Sequence, residues 1–385
     1  MQEFSDFIST TGIVNLDWRQ GIMILIGVGF IALAIRKKLE PYELLPIGLG
    51  IVAANLPLTG LVDSPSDKSD VQGAGIFGIF FYYGLSFWNI LPPIIFLGIG
   101  ALTDFGPVIA NPKTLLLGAA AQVGIFVAFW GALFAGSLGM GFGIEEAASI
   151  GIIGGADGPT TIFLSARLAP EILGVTAVIA YSYMASVAFI QPPLMKLFTT
   201  KKERQIVMSP PREVSKLERL VFPHVALIAI ILLVPKSAPL IAMFMIGNIF
   251  RESGVVPRLT KAASNEVLNI ATIFLMLTVG TQLTAERVFD FQTLVILGLG
   301  LLAFSCGTVG GILFARFMNL FLKEKINPLI GSAGVSAVPM AARISHQIGQ
   351  EENPHSFLLP HAMGPNVAGV IGSAVIAGVF ISLVN

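Results

Sequence analysis

Residues 150–167, IGIIGGADGPTTIFLSAR, place one acid, four glycines and a proline inside an otherwise apolar stretch. The pair Gly154-Gly155 can end one half-helix, Asp157 can cap the next, and Pro159 suits its first turn. The backbone is then open at Asp157. Irregular backbone at membrane depth is tolerated only where protein or a water-lined cavity surrounds it. Freed carbonyls beside a carboxylate make a site for a hard cation, and Na⁺ fits such ligands. The alternative is a solvated capping Asp, against which the apolar flanks argue, since a buried acid is costly and usually functional. A second stretch, INPLIGSAGVSAVPMAAR (326–343), is broken in the same manner by glycine, proline and small polar residues.

The rest of the chain is consistent with membrane burial of these breaks. Of 385 residues, 54% are apolar and 12% charged, against roughly 25% charged in a soluble domain. Mean hydropathy is +0.82. With 23 basic and 23 acidic side chains there is no basic footprint for nucleic acid. The single cysteine, Cys306, allows no disulfide frame within one chain. Glycine (41) and proline (23) are abundant inside hydrophobic runs, as membrane helices permit. The N-terminal MQEFSDFISTTG lacks the basic start and cleavage site of a signal peptide, so retention is expected. P-loop, dinucleotide-binding, HExxH and GxSxG motifs are absent, which argues against an ATP-driven pump.

The fold class expected is an all-α polytopic membrane protein with about 10–11 membrane segments. They lie near 20–35, 43–60, 75–87, 88–104, 113–137, 171–197, 220–234, 237–250, 266–284, 291–318 and 356–384, several of them shorter than a full span. The broken segments are 146–168 and 328–345. Basic clusters at Arg36-Lys37-Lys38, 201–219, Arg251 to Lys261, and Arg316 to Lys325 assign those ends to the cytoplasm. The polar stretch TTKKERQIVMSPPREVSKLER (199–219) reads as a basic cytoplasmic linker between halves 1–198 and 220–385.

Those halves echo each other. IFLGIGALTDFGPVIANPKTLLLG (95–118) resembles IFLMLTVGTQLTAERVFDFQTLVILG (273–298), and GGADGPTTIFLSAR (154–167) resembles GSAGVSAVPMAAR (331–343), both at an offset near 180. Paired echoes either side of a linker are the pattern of repeated membrane halves in secondary transporters.

The second break has no acid, but Asn327, Ser336 and open carbonyls offer uncharged oxygen ligands. Alone, each would read as a turn or a packing residue. Arg343 can hold a carboxylate bidentately, the alternative being snorkelling to the interface. Tyr181 and Tyr183 point in different directions from one helix. His361 and Asn366 could line the same cavity or form a packed polar pair, and Asn55, Asp104 and Asn248 read as local hydrogen bonders.

The strings 150–174, AYSYMA (180–185), FIQPPLMK (189–196), 326–343 and HAMGPNVAGVIGSA (361–374) resemble the β subunit of the biotin-dependent Na⁺-translocating decarboxylases, over nearly the whole chain. The resemblance implies decarboxylation of carboxybiotin coupled to Na⁺ export and proton uptake. It implies that Asp157 binds Na⁺, with Asn327, Gly331 and Ser336 along the ion path, Tyr183 on the proton route and Arg343 engaging carboxybiotin. It further implies two inverted repeats in an elevator-like scaffold and core, and a homo-oligomer of β subunits in the bacterial cytoplasmic (inner) membrane. The implied partners are biotin-carrier and carboxyltransferase subunits, a small γ-type membrane subunit and lipid. No Ala-Met-Lys-Met context occurs here, so biotin must arrive on another protein. The short loop VDSPSDKSDVQGA (62–74) is more similar to the methylmalonyl-CoA or glutaconyl-CoA type than to the oxaloacetate type. The rival readings are a stand-alone Na⁺-coupled organic anion symporter and a structural scaffold, the latter leaving Asp157 and Arg343 unexplained.

Overall fold

The computed structural model describes residues 9–65, 73–288, 290–337 and 339–384; the middle of the short loop and the first eight residues lie outside these. Among the described residues every regular element is helical. Each segment expected from hydropathy is a helix. Six are long and apolar enough to cross a bilayer: Trp18–Lys37, Thr114–Met140, Leu173–Phe198, Pro257–Thr281, Phe291–Phe321 and Leu359–Val384. A seventh span arises if Ile76–Phe87 and Leu91–Leu102, bent by 76°, are counted together. The count of spans is thus lower than the ten or eleven expected, for two reasons. The segments at 75–87 and 88–104 form one bent pair, and others make helices that are short, like Pro41–Ala54 (14 residues) and Ala238–Ser253 (16 residues), or charged at the start, like Lys216–Leu233.

Small residues let these helices touch backbone to backbone. A Cβ on Gly100 would lie 1.9 Å from the Phe244 carbonyl oxygen, and one on Gly280 would lie 2.2 Å from that of Ile47. Neither position admits alanine without moving a helix. Asparagines lock the same two pairs. Asn248 donates to the Thr103 carbonyl at 2.7 Å, closing the end of Leu91–Leu102. Asn55 donates to the Leu283 carbonyl at 2.8 Å and accepts from the Ala285 amide at 3.0 Å, closing the end of Leu268–Thr281. These ties span the two halves of the chain, and the local bonds expected are present as well: Asn55 donates to the Ile51 carbonyl at 2.9 Å and Asp104 accepts from the Gly106 amide at 2.7 Å. Side chains such as Leu232 and Leu233, 77% and 81% exposed, point outward as a lipid-facing surface requires.

Ion pairs to both halves hold the linker, Arg219 with Asp104 of the first half at 2.7 Å and two pairs with the second half. Arg204 pairs with Glu352 at 2.7 Å and Arg316 with Glu203 at 2.8 Å. Thr200 caps Lys201–Arg204, and Ser215 with Glu218 forms a capping box that starts Lys216–Leu233. Burial opposes ionisation of Glu203, but hydrogen bonds from Thr200 and the charge of Arg316 outweigh it and hold the carboxyl below its usual range.

Candidate cation site at two broken helices

In the first break Ile144–Gly151 runs into a 3₁₀ turn, Ile152–Gly155, and ends at Ala156, whose φ of 51° is left-handed. Asp157 then turns extended and caps Gly158–Leu168, with Pro159 in the first turn. The capping and proline logic of the sequence is therefore realised. The Asp157 carboxylate accepts from Thr160 Oγ1 at 2.6 Å and from Ser373 Oγ at 2.9 Å, while Thr161 Oγ1 donates to its carbonyl at 2.9 Å. It is 5% exposed, and among the described residues no Lys, Arg or His is its partner. A carboxylate so enclosed calls for a cation or a proton.

The second break shares part of this pattern, a 3₁₀ turn, Pro328–Gly334, an extended Val335 and then the helix Met340–Glu352, but no helix runs directly into it and no left-handed residue precedes Val335. The breaks meet, because the Ser336 amide donates to the Gly155 carbonyl at 3.1 Å. Asn366 donates to the carbonyls of Ala333 (3.0 Å) and Val335 (3.2 Å), and Gln191 to that of Ser332 at 3.1 Å. Three separate elements thus satisfy backbone groups that the unwound turn would otherwise orphan.

The residues singled out from sequence fall into two groups. Asp157 and Ser336 line one cavity of about 620 Å³, a size suited to a small ligand. The Ser336 hydroxyl, on a residue 3% exposed, has no hydrogen-bond partner, so an oxygen ligand is available there. Asn327, Gly331 and Tyr183 are not among the cavity's lining. Asn327 caps the 3₁₀ turn, accepting from the Leu329 amide, and its amide donates to the linker carbonyls of Arg204 (2.8 Å) and Ile206 (3.0 Å). Gly331 lies against Gly311, where a Cβ would come within 2.1 Å of the Gly311 carbonyl oxygen. The Tyr183 hydroxyl donates to the Leu297 carbonyl of the neighbouring helix. Arg343 is exposed, and its guanidinium makes no hydrogen bond or ion pair among the described residues, so it is free to take a carboxylate.

Sequence reading missed Ser373, which lies 216 positions from the carboxylate it bonds, and gave no role to Asn366 or Gln191. It also passed over Glu43 and favoured Tyr183 over Tyr181, yet Glu43 and Tyr181 both line the cavity. A lone Ser, Asn or Gln in a membrane helix carries no local signal that separates a site from packing. His361 is buried in the helix Leu359–Val384 and is not part of the lining.

Two helix breaks that meet beside a buried carboxylate with no basic partner among the described residues define the class, a polytopic membrane protein with an acid enclosed at a break. The chain belongs to the family described as "Na+-transporting oxaloacetate decarboxylase beta subunit", whose model matches residues 19–384. It is 54% identical to the methylmalonyl-CoA decarboxylase subunit beta of Propionigenium modestum, over 100% of this chain and 99% of that one. It is 51% identical to the glutaconyl-CoA decarboxylase subunit beta of Acidaminococcus fermentans, over 98% and 96%. A probable oxaloacetate decarboxylase beta chain of Vibrio cholerae is 48% identical over 100% of both. The family is one of sodium transport driven by decarboxylation.

Proposed function

We propose that this chain is the membrane subunit of a Na⁺ pump that decarboxylates carboxybiotin and couples CO₂ release to Na⁺ export and proton uptake. The observation that carries this reading is Asp157, buried at a helix break beside the unpartnered Ser336 hydroxyl. In this reading Asp157 holds Na⁺ with Ser336 and break carbonyls as neutral ligands, while Ser373 and Thr160 fix the carboxylate's orientation. Asn327 and Gly331 act along the same path by holding the second break against the linker and against Gly311. Carboxybiotin supplies a carboxylate that leaves as CO₂ and a ureido nitrogen that must gain a proton. Arg343 holds that carboxylate. Proton uptake involves Tyr183, at the contact of Leu173–Phe198 with Phe291–Phe321, while Tyr181 faces the cavity from the other side of the same helix.

The biotin-bearing and carboxyltransferase functions belong to partner subunits, with a small γ-type membrane subunit and further β copies completing an assembly in the bacterial inner membrane. A methylmalonyl-CoA or glutaconyl-CoA complex is favoured by the compact chain, since the alignment to the Vibrio relative spans 432 positions and that to the Propionigenium relative 396. An inverted repeat with halves 1–198 and 220–385 is supported by the exchanged helix pairs, Gly50 against Gly280 and Gly100 against Phe244, each spanning the halves. The two touching breaks would then be the moving core of an elevator.

The test is CO₂ release from free carboxybiotin by the assembled complex at zero and at millimolar Na⁺. Na⁺-dependent release supports the pump. No release from a preparation that still binds Na⁺ would favour a Na⁺-coupled organic anion symporter.

A further inference from the structure

The cavity that holds Asp157 has a second carboxylate. Glu43, in the first turn of Pro41–Ala54, lines it; its Oε2 is buried with no neutral donor, its one side-chain partner being the Glu40 carboxyl. Beside it Tyr42 is 73% exposed, whereas Asp157 at the other carboxylate is 5% exposed. Glu43, half-buried beside Tyr42, is thus nearer the open end than the enclosed Asp157. Between them lies Tyr181, which is 3% exposed, has a hydroxyl with no partner, and feels the charge of both acids. Its ring covers Gly158, the residue after Asp157. A π-helical turn, Ala263–Val267, presents Ser264 and Asn265 to the same space. Among the described residues no Lys, Arg or His lines it. Outside the lining, the Glu40 carboxyl adjoins Glu43, and Arg343 lies within electrostatic range of Glu40.

We propose that Glu43, with the Tyr181 hydroxyl, forms a second subsite for Na⁺ at the cavity mouth, from which the ion passes to Asp157. This rests on the pump reading above. Two carboxylates without a lining base, separated by an unpartnered hydroxyl, make a negative funnel whose oxygens suit a monovalent hard cation and disfavour an organic anion. The turn that carries Glu43 follows the Arg36-Lys37-Lys38 cluster, so the mouth opens on the side those residues assign to the cytoplasm. That is the side from which an exporter must load.

The experiment compares wild type and Glu43→Gln in the complete complex, reading the Na⁺ concentration that half-saturates CO₂ release, and measures equilibrium binding of radioactive Na⁺ to the purified chain. The variant is expected to need about three- to tenfold more Na⁺, a difference that shrinks as ionic strength is raised with choline chloride. It is also expected to bind fewer Na⁺ per chain. Unchanged half-saturation and unchanged stoichiometry would overturn the proposal. If Glu43→Gln does not assemble, Glu43→Asp withdraws the carboxylate by one methylene; half-saturation raised about twofold supports the subsite, and an unchanged value overturns it. A wild type with no Na⁺ dependence refutes the pump reading instead.

Discussion

The Ser336 amide donates to the Gly155 carbonyl at 3.1 Å, so the two interruptions in this chain share a hydrogen bond 181 positions apart in sequence. The contact fixes the second break against the first and sets the Ser336 hydroxyl into the cavity that holds Asp157. Gly155 has no room to change. A Cβ there would lie 2.9 Å from the Cβ of Ser373, the residue that orients Asp157. Gly155→Ala is expected to cost about 1–3 kcal/mol of stability and to weaken Na⁺ activation. A thermal unfolding midpoint and Na⁺ titration both equal to wild type would contradict this.

Ser373→Ala removes a donor from a buried carboxylate without adding bulk. Hydrogen bonds to charged groups are worth about 1.5–3 kcal/mol, so Na⁺ half-saturation should rise about tenfold or more while the chain still assembles. A titration of CO₂ release against Na⁺ in the purified complex checks it, and an unshifted curve would show that Ser373 is only a packing residue.

Gly158 and Tyr181 should behave as a coupled pair. A Cβ on Gly158 would lie 2.2 Å from a Tyr181 ring carbon, too close for any accommodation short of moving the ring. Gly158→Ala should lower the thermal midpoint, and the double variant Gly158→Ala, Tyr181→Ala should recover part of that loss relative to simple addition of the two single effects. Strict additivity would mean that the contact is not felt.

The linker gives a pH expectation outside the membrane. The hydrogen bond from Arg212, with those from Ser215, lowers the exposed Glu218 carboxyl from 4.5 to about 2. A lowered folded-state value means that the contribution is present above about 4.5 and is lost as pH falls through about 2. Pepsin cleavage within 205–214 should therefore be slower in wild type than in Glu218→Gln at pH near 4.5, with the two converging near pH 2. Equal rates at both ends would show that this capping box does not hold the linker.

Much of this fold was legible because hydropathy and the helix-breaking chemistry of GGADGP act locally. Gly154, Gly155, Asp157 and Pro159 announce a stop, a cap and a restart within six residues. The basic linker was equally plain. What sequence could not show was which residues pair across the fold. Ser373 looks like any small residue in Leu359–Val384, and only the packing of that helix on the break reveals its partner. Tyr181 and Tyr183 share a helix two residues apart, about 200° around it, so one faces the cavity and the other the Phe291–Phe321 helix. Resemblance favoured Tyr183, whereas contact with the cavity belongs to Tyr181. Asn327 offers an oxygen ligand in sequence and the resemblance puts Gly331 on the ion path; in the fold their contacts are to the linker and to Gly311.

The most direct measurement is equilibrium Na⁺ binding to the purified chain, wild type against Asp157→Asn. The substitution keeps the size of the side chain and removes the charge that the buried break is built around. Saturable binding in wild type and its loss in Asp157→Asn is the expected result. Equal Na⁺ affinity in the two proteins would contradict the assignment of the cation to this carboxylate, and with it the coupling described here.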